Sequence, residues 1–275
     1  MLRLLLALVF AYAVIVLLMF LGQNRLLFIP GLPGRDLVAT PERLGLDYDD
    51  LAIETADGEH LHAWYLPGQD NADLIVVIFH GNAGNISHRL DTLRIWHELG
   101  LSTLIFDYRG YGRSTGRPSE AGTYRDAEAV WAQVLGLGYA PEQTILFGRS
   151  LGGAVAVWLT KNLEQTRQRP GGLIIESSFT SAPDLAAELY PWLPVRWLAR
   201  IRYPSEERLS EIRTPVLVVH SPTDEIIPFH HGEALYRAAA GRSALLELDG
   251  DHNTGFLASG RRYTDGLRQF LETLP

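Results

Sequence analysis

Ile145-Leu-Phe-Gly-Arg-Ser-Leu-Gly-Gly-Ala154 is the stretch on which the fold turns. Thr144 to Phe147 is an apolar run of strand length. A serine between glycines follows, and then a helix-compatible apolar run, Ala154 to Thr160. Gly148, Ser150 and Gly152 make the pattern G-x-S-x-G of a nucleophile elbow. A strand reverses into a helix there in almost no length, so no side chain fits at either glycine. The result is a hydroxyl raised above a sheet at a helix N-terminus, where backbone N–H groups favour negative charge. Five residues with two glycines also arise by chance, and the bland reading is a tight β-to-α turn with an ordinary serine. The pattern carries chemistry only if other strand ends supply a base, an acid and an oxyanion site.

Working outward, short apolar runs recur along the chain. They are Leu74 to Phe79, Thr103 to Phe106, Leu173 to Ile175, Val216 to Val219 and Ala244 to Leu248. Unbroken apolar strands of this length suit a parallel sheet buried on both faces. Helical pattern separates them over 86–99, 120–137, 232–240 and 261–274. Alternation of this kind predicts an α/β fold with a doubly wound, mainly parallel sheet. Leu51 to Thr55 and His60 to Leu66 flank Asp57-Gly58 and predict a hairpin at the start of the globular domain. His60 and His62 fall on one face of that strand. No third ligand accompanies them, so they read as exposed hairpin side chains rather than a metal site. Residues 177–205 break the alternation with prolines, Trp192, Trp197, Tyr190 and Tyr203. An insertion there lies over the carboxyl ends of the strands, where such sheets bind ligands. We read it as a small helical cap, against the alternative of ordinary surface helix.

The chain has 275 residues, 47% of them hydrophobic, and a net charge of −8. That size permits one large α/β domain with a sizeable core. The charge carries no long basic run, which argues against a nucleic-acid partner. There is no cysteine, which excludes disulfides, thiolate nucleophiles and cysteine-based metal sites. Residues 4–21 are uncharged and nearly all apolar, about the minimum length for a membrane-spanning helix. No small-x-small cleavage site follows, so we read 1–22 as an uncleaved single-pass transmembrane anchor. The alternatives are a signal peptide cleaved atypically and a lid helix. Residues 23–50, punctuated by Pro30, Gly31, Pro33, Gly34 and Pro41, read as a connector. The globular domain then spans 51–275, with the cap insertion at about 177–205. Arg3 lies on one side of the anchor and Arg25 and Arg35 on the other, so the positive-inside count is ambiguous and leans, if anything, against an external domain. We take the common signal-anchor arrangement, with an extracytoplasmic domain.

A serine hydroxyl needs a base within hydrogen-bond reach. In this architecture the order along the chain is serine, acid, histidine, each at a strand end. Asp224 follows strand 216–219 in His220-Ser-Pro-Thr-Asp-Glu-Ile-Ile-Pro228. His252 follows strand 244–248 in Asp249-Gly-Asp-His-Asn-Thr254. Glu225, Asp249 and Asp251 compete with Asp224, and His80 is the rival base. The oxyanion donors expected are the N–H of Leu151, after the nucleophile, and that of Asn82, in the loop after strand 74–79. Donors of this kind contribute about 3 kcal/mol each. No cofactor or metal is called for.

Taken together, His80-Gly-Asn-Ala-Gly-Asn85, Asp107-Tyr-Arg-Gly-Tyr-Gly-Arg-Ser114, Gly148-Arg-Ser-Leu-Gly152, Glu176-Ser-Ser-Phe-Thr-Ser181 and Pro222-Thr-Asp-Glu-Ile-Ile-Pro228 resemble the α/β-hydrolase superfamily. More narrowly, they resemble its membrane-anchored serine hydrolases, which include lysophospholipase-like enzymes and protein depalmitoylases. The likeness runs from the anchor to the last helix. It implies a triad of Ser150, Asp224 and His252 and an oxyanion hole at Asn82 and Leu151. It also implies hydrolysis of esters or thioesters. Relatives often carry His-Gly where this chain has His220-Ser221. The expected function is a serine hydrolase of acyl esters, with lipid-like substrates suggested by the anchor and the aromatic insertion. A thioesterase, a serine peptidase and a non-catalytic binding protein on the same fold are the rival readings.

Overall fold

The computed structural model describes residues 1–69 and 73–274. Eight strands form one sheet in the order β1-β2-β4-β3-β5-β6-β7-β8. They are β1 (Asp49–Glu54), β2 (His60–Leu66), β3 (Ile75–Phe79), β4 (Ser102–Phe106), β5 (Thr144–Arg149), β6 (Gly172–Glu176), β7 (Val216–His220) and β8 (Ser243–Glu247). The first hairpin is antiparallel and joins β4 antiparallel; every pair from β4 through β8 is parallel. The predicted doubly wound sheet is therefore what forms, with strand limits moved by one or two residues.

The helices are α1 (Leu2–Leu27), α2 (Leu90–Glu98), α3 (Glu120–Gly136), α4 (Leu151–Gln165), α5 (Ala182–Leu189), α6 (Val195–Leu198), α7 (Ser205–Leu209), α8 (Phe229–Ala238), α9 (Gly255–Ala258) and α10 (Arg261–Glu272). Strand period sorts the core into two layers. Ile75, Val77 and Phe79 pack with α3, α4, α7 and α8, while Val76 and Ile78 pack with α2, α9 and α10. Each such side chain, fully buried, contributes about 1.5–3 kcal/mol of transfer free energy. That is why the parallel strands tolerate no polar alternation.

One local expectation changes. His62 is not an exposed hairpin side chain. It is buried, its Nε2 lies 2.8 Å from Asp50 Oδ1, and its Nδ1 lies 3.8 Å from Asp107 Oδ2. The β4–α3 loop folds over β2 and covers it. The 23–50 connector packs on the domain. Phe28 is buried in the core, Ile29 bridges to Ala83, and Arg35 donates to the carbonyls of Gly112 and Ser114 at 3.0 and 2.8 Å.

The cap spans α5 and α6. Ser181 begins α5 by accepting a hydrogen bond from the Asp184 N–H at 3.2 Å. Pro191 and Pro194 then break the chain into short turns. Helix α1 is uncharged and nearly all apolar over residues 4–21, has no buried residue, and is long enough to cross a membrane.

Candidate active site

The sheet changes direction at β3, with β4 on one side and β5 on the other. Ligands in such sheets bind above the carboxyl ends at this switch point. Phe79 is in register with Gly148, so the loops after β3 and β5 emerge side by side. Ser150 stands on the β5–α4 turn with φ 53° and ψ −121°, a strained backbone for a residue other than glycine. Its surroundings hold it there. The Ser150 N–H donates to the Glu176 carbonyl at 2.8 Å, and the Ser178 hydroxyl donates to the Ser150 carbonyl at 2.8 Å. A Cβ at Gly152 would strike the Phe79 carbonyl, and one at Gly148 would strike the Gly152 carbonyl. Both glycines are thus required by close approach, as the pattern implied.

The acid and base candidates come from the neighbouring strands. His252 Nδ1 lies 2.8 Å from Asp224 Oδ2. Asp224 Oδ1 accepts the N–H groups of Ile226 and Ile227 at 3.0 and 2.8 Å. Burial alone raises the Asp224 carboxyl, but the His252 hydrogen bond and the two amides outweigh it and hold its pKa below the usual value. The three competing carboxylates are occupied elsewhere. Glu225 accepts the His252 backbone N–H at 2.9 Å, Asp249 pairs with Arg262, and Asp251 accepts the N–H groups of Asn253 and Thr254. Ser221 lies between the acid and histidine loops and ties them together. Its hydroxyl and that of Thr223 both donate to the Gly250 carbonyl, which draws the acid and histidine loops together.

His80, the rival base, is buried with its Nδ1 against the Gly81 carbonyl at 2.6 Å. Burial pushes its pKa down to about 4, and it stacks near Tyr108 and Tyr111 instead of facing the cavity. Asn82 sits beside Ser150 on the β3 loop. Its side chain is engaged by the Tyr111 hydroxyl at 2.8 Å and donates to the Leu27 carbonyl, so it fastens the end of α1 to the core. Its backbone N–H makes no hydrogen bond among the described residues. Leu151 is the first residue of α4, and its N–H lacks a helical carbonyl one turn before it.

A cavity of about 530 Å³ joins these groups. Ser150, Leu151, Asn82 and His252 line its floor. Leu185, Leu189, Leu193 and Leu198 of the cap, with Val16, Met19 and Phe20 of α1, line its roof. No hydrogen bond joins the Ser150 hydroxyl to the His252 ring, a contact that commonly tightens only with substrate bound.

Two features of the site left no mark that a sequence pattern detects. One is a brace under the histidine. Arg149 Nε lies 3.3 Å from Glu176 Oε1, and its Nη2 donates to the His252 and Asn253 carbonyls at 2.5 and 2.8 Å. Tyr263 donates to the same glutamate at 2.5 Å. The other is the roof contributed by α1. A cluster of possible metal ligands, Glu188, His230 and His231, lies off the cavity, where it links α5 to α8.

The geometry has relatives. The chain is 35% identical to the alpha/beta hydrolase domain-containing protein WAV2 of Arabidopsis thaliana, over 91% of this chain and 87% of that one. The chain belongs to the α/β-hydrolase family. The family model described as serine aminopeptidase, S33, matches residues 70–205. An uncharacterized membrane protein of Saccharomyces cerevisiae, YNL320W, is 32% identical over 90% of this chain and 88% of its own. The esterase Pf2001 of Pyrococcus furiosus superposes with a TM-score of 0.68 at 19% identity, covering 86% of this chain and 96% of that one. That last likeness speaks to fold alone. In this α/β hydrolase, Ser150 and His252 line one cavity and Asp224 is hydrogen-bonded to His252 behind it.

Proposed function

We propose that this hydrolase cleaves carboxylic esters of apolar acids through an acyl-enzyme on Ser150. The observation that carries the reading is the Asp224–His252 hydrogen bond, 2.8 Å long, at the cavity that Ser150 faces from its strained turn. In this mechanism His252 takes the Ser150 proton as the hydroxyl attacks the acyl carbonyl. The N–H groups of Leu151 and Asn82 hold the oxyanion. His252 then protonates the leaving alcohol, and water activated by the same ring releases the acid. Asp224 keeps the proton on Nδ1 and stabilises the imidazolium.

The cavity's chemistry favours an ester over the aminopeptidase reaction named in the family description. A peptide amino terminus is a cation and requires a carboxylate. The described lining has Arg89 and Arg149 but neither Asp nor Glu, and is otherwise mostly aliphatic. Apolar walls with few polar groups suit an acyl chain. Helix α1 serves in this reading as a membrane anchor that keeps the site near lipid.

The direct test is labelling of the full chain with a fluorophosphonate probe, beside turnover of matched ester, thioester and amide substrates. Labelling that disappears in Ser150→Ala, with the ester turned over fastest, is expected. Labelling that persists in Ser150→Ala would falsify the assignment. Absence of labelling in the parent protein would favour a binding protein, and turnover of the amide alone would favour a peptidase.

A further inference from the structure

We propose that the cavity is an acyl-chain slot open to the bilayer, with α1 as one wall, so that the substrate is a single-chain ester amphiphile taken directly from the membrane. The proposal rests on Ser150 as nucleophile and on α1 as an anchor.

The first observation is a helix face. Val16, Met19, Phe20 and Gln23 line the cavity at spacings of three and four residues, which place them on one side of α1. They are half-buried, whereas Leu17, Leu18 and Leu21, turned away, are exposed. The second is the fastening of α1 to the cap. The Gln23 amide donates to the Leu198 carbonyl at 3.0 Å and accepts the Arg200 N–H at 2.7 Å. Arg200 also donates to the Phe20 carbonyl at 3.0 Å, with its guanidinium 4.7 Å from the Phe20 ring centre. Higher up, the Tyr12 hydroxyl donates to the Trp192 carbonyl at 2.8 Å.

Length turns these contacts into a statement about depth. At 1.5 Å per residue, the segment from Leu2 to Tyr12 extends only about 15 Å beyond the cap. A hydrocarbon core is about 30 Å thick. If α1 lies across a bilayer, its cap-bound half lies within the membrane too, and the cap sinks into the near leaflet with it. The cap surface suits that position: Leu189, Tyr190, Trp192 and Trp197 are exposed, Trp197 at 89%. Aromatic residues of this kind concentrate where membrane meets water. A chain leaving the leaflet between α1 and α5 reaches Ser150 without crossing water.

The test uses the full-length protein in lipid nanodiscs. Phe20→Trp and Met19→Trp fill the slot from the α1 side, Leu185→Trp from the cap side. The readout is the ratio of kcat/KM for a palmitoyl monoacylglycerol to that for a short acetate ester. Each variant is expected to lower that ratio at least tenfold, whereas Leu18→Trp and Leu21→Trp, on the lipid-facing side, leave it within twofold. An unchanged ratio in the slot variants, or an equal fall in the lipid-facing ones, overturns the slot. Loss of acetate turnover in the parent protein strikes the serine-hydrolase reading itself, so the two failures are distinguishable.

A second, independent observation concerns the head group. We infer that Arg89 binds a phosphate or carboxylate on the leaving alcohol. Arg89 lines the cavity, its Nε is buried with no hydrogen-bond partner, and among the described residues its side chain makes one hydrogen bond, from Nη2 to the Ala83 carbonyl. No carboxylate pairs with it among the described residues, unlike Arg149, which is held by Glu176. A half-buried guanidinium whose Nε is shut off from water and unpaired carries a desolvation cost, and one anion in the cavity would relieve it. Two monoacyl esters of equal chain length, one bearing a phosphate and one neutral, test this against Arg89→Gln. A tenfold loss of kcat/KM confined to the phosphate ester, partly restored in Arg89→Lys, is expected. Equal losses on both esters would show a structural role and overturn the inference.

Discussion

The floor and the roof of the cavity are built by different physics. The floor is strand ends: Ser150 and Asp224 follow the buried strands β5 and β7, His252 follows the half-exposed edge strand β8, and the hydrogen bonds that the Asp224 carboxylate makes lie between 2.8 and 3.0 Å. The roof is α1 and the cap, where large apolar side chains such as Trp192 and Leu189 remain exposed and polar contacts are mostly single side chain to backbone links. Buried, fully partnered groups have one arrangement and suit chemistry that demands fixed geometry. An apolar roof with few directional contacts adapts to the substrate it covers. In the proposed function, the floor sets the reaction type and the roof the choice of substrate.

Breaking the floor at its acid has the largest expected effect. Asp224→Asn holds the wrong histidine tautomer and is expected to lower kcat by about 10⁴-fold while the fold survives. Steady-state turnover beside a denaturant melt checks both halves of that statement. The same carboxylate gives a pH signature. Its folded pKa lies below the unfolded value of about 3.9. Ionised Asp224 therefore adds stability that is fully present above that value and is lost as pH falls through the folded pKa. The parent protein's unfolding free energy is expected to fall more steeply below about pH 4 than that of Asp224→Asn. Parallel curves would remove the carboxylate from the acid-labile set.

Next in size is the elbow. Gly152→Ala forces a methyl group against the Phe79 carbonyl, so β3 and α4 must separate. A loss of about 3 kcal/mol in unfolding free energy is expected, with activity falling as well. A loss under 1 kcal/mol would mean that the turn relaxes more readily than its packing indicates.

The brace tests whether the floor depends on residues that touch no substrate. Glu176→Gln removes the anion that holds Arg149, and with it the support of the His252 and Asn253 carbonyls. Misplacement of the base by a fraction of an ångström is expected to lower kcat by about tenfold, with KM nearly unchanged. A change in KM alone would point to Arg149 as a substrate contact instead.

The same division explains what was legible in the sequence. Strand ends announce themselves, because buried parallel strands are continuous apolar runs and the residues just past them are the only candidates for a site. Ser150, Asp224, His252, Asn82 and Leu151 were all named on that ground, and all but Asp224 line the cavity, with Asp224 immediately behind His252. The cap half of the roof was legible as an insertion over the strand ends, but the α1 half was not. A leucine or phenylalanine on α1 has the same signature whether it faces lipid or a substrate cavity, so Val16, Met19 and Phe20 carried no sign of their position. His62 was misjudged for a related reason. Period-two alternation tells which residues share a face, but not that the β4–α3 loop would cover that face. Arg149 lay inside the elbow pattern itself, yet its partner Glu176 is one strand away and no spacing rule links them.

The smallest effect expected sharpens the roof. Trp197 is 89% exposed and makes no side-chain hydrogen bond among the described residues. Trp197→Ala is expected to change unfolding free energy in detergent by less than about 0.5 kcal/mol, as for other exposed positions. If the cap lies in a leaflet, the same tryptophan should be quenched by bromine-labelled lipid chains in nanodiscs, and its removal should weaken that quenching. If the roof faces water, Trp197 escapes quenching and the exposed aromatic surface needs another partner. The two outcomes differ in one spectrum, while the chemistry on the floor is the same in both.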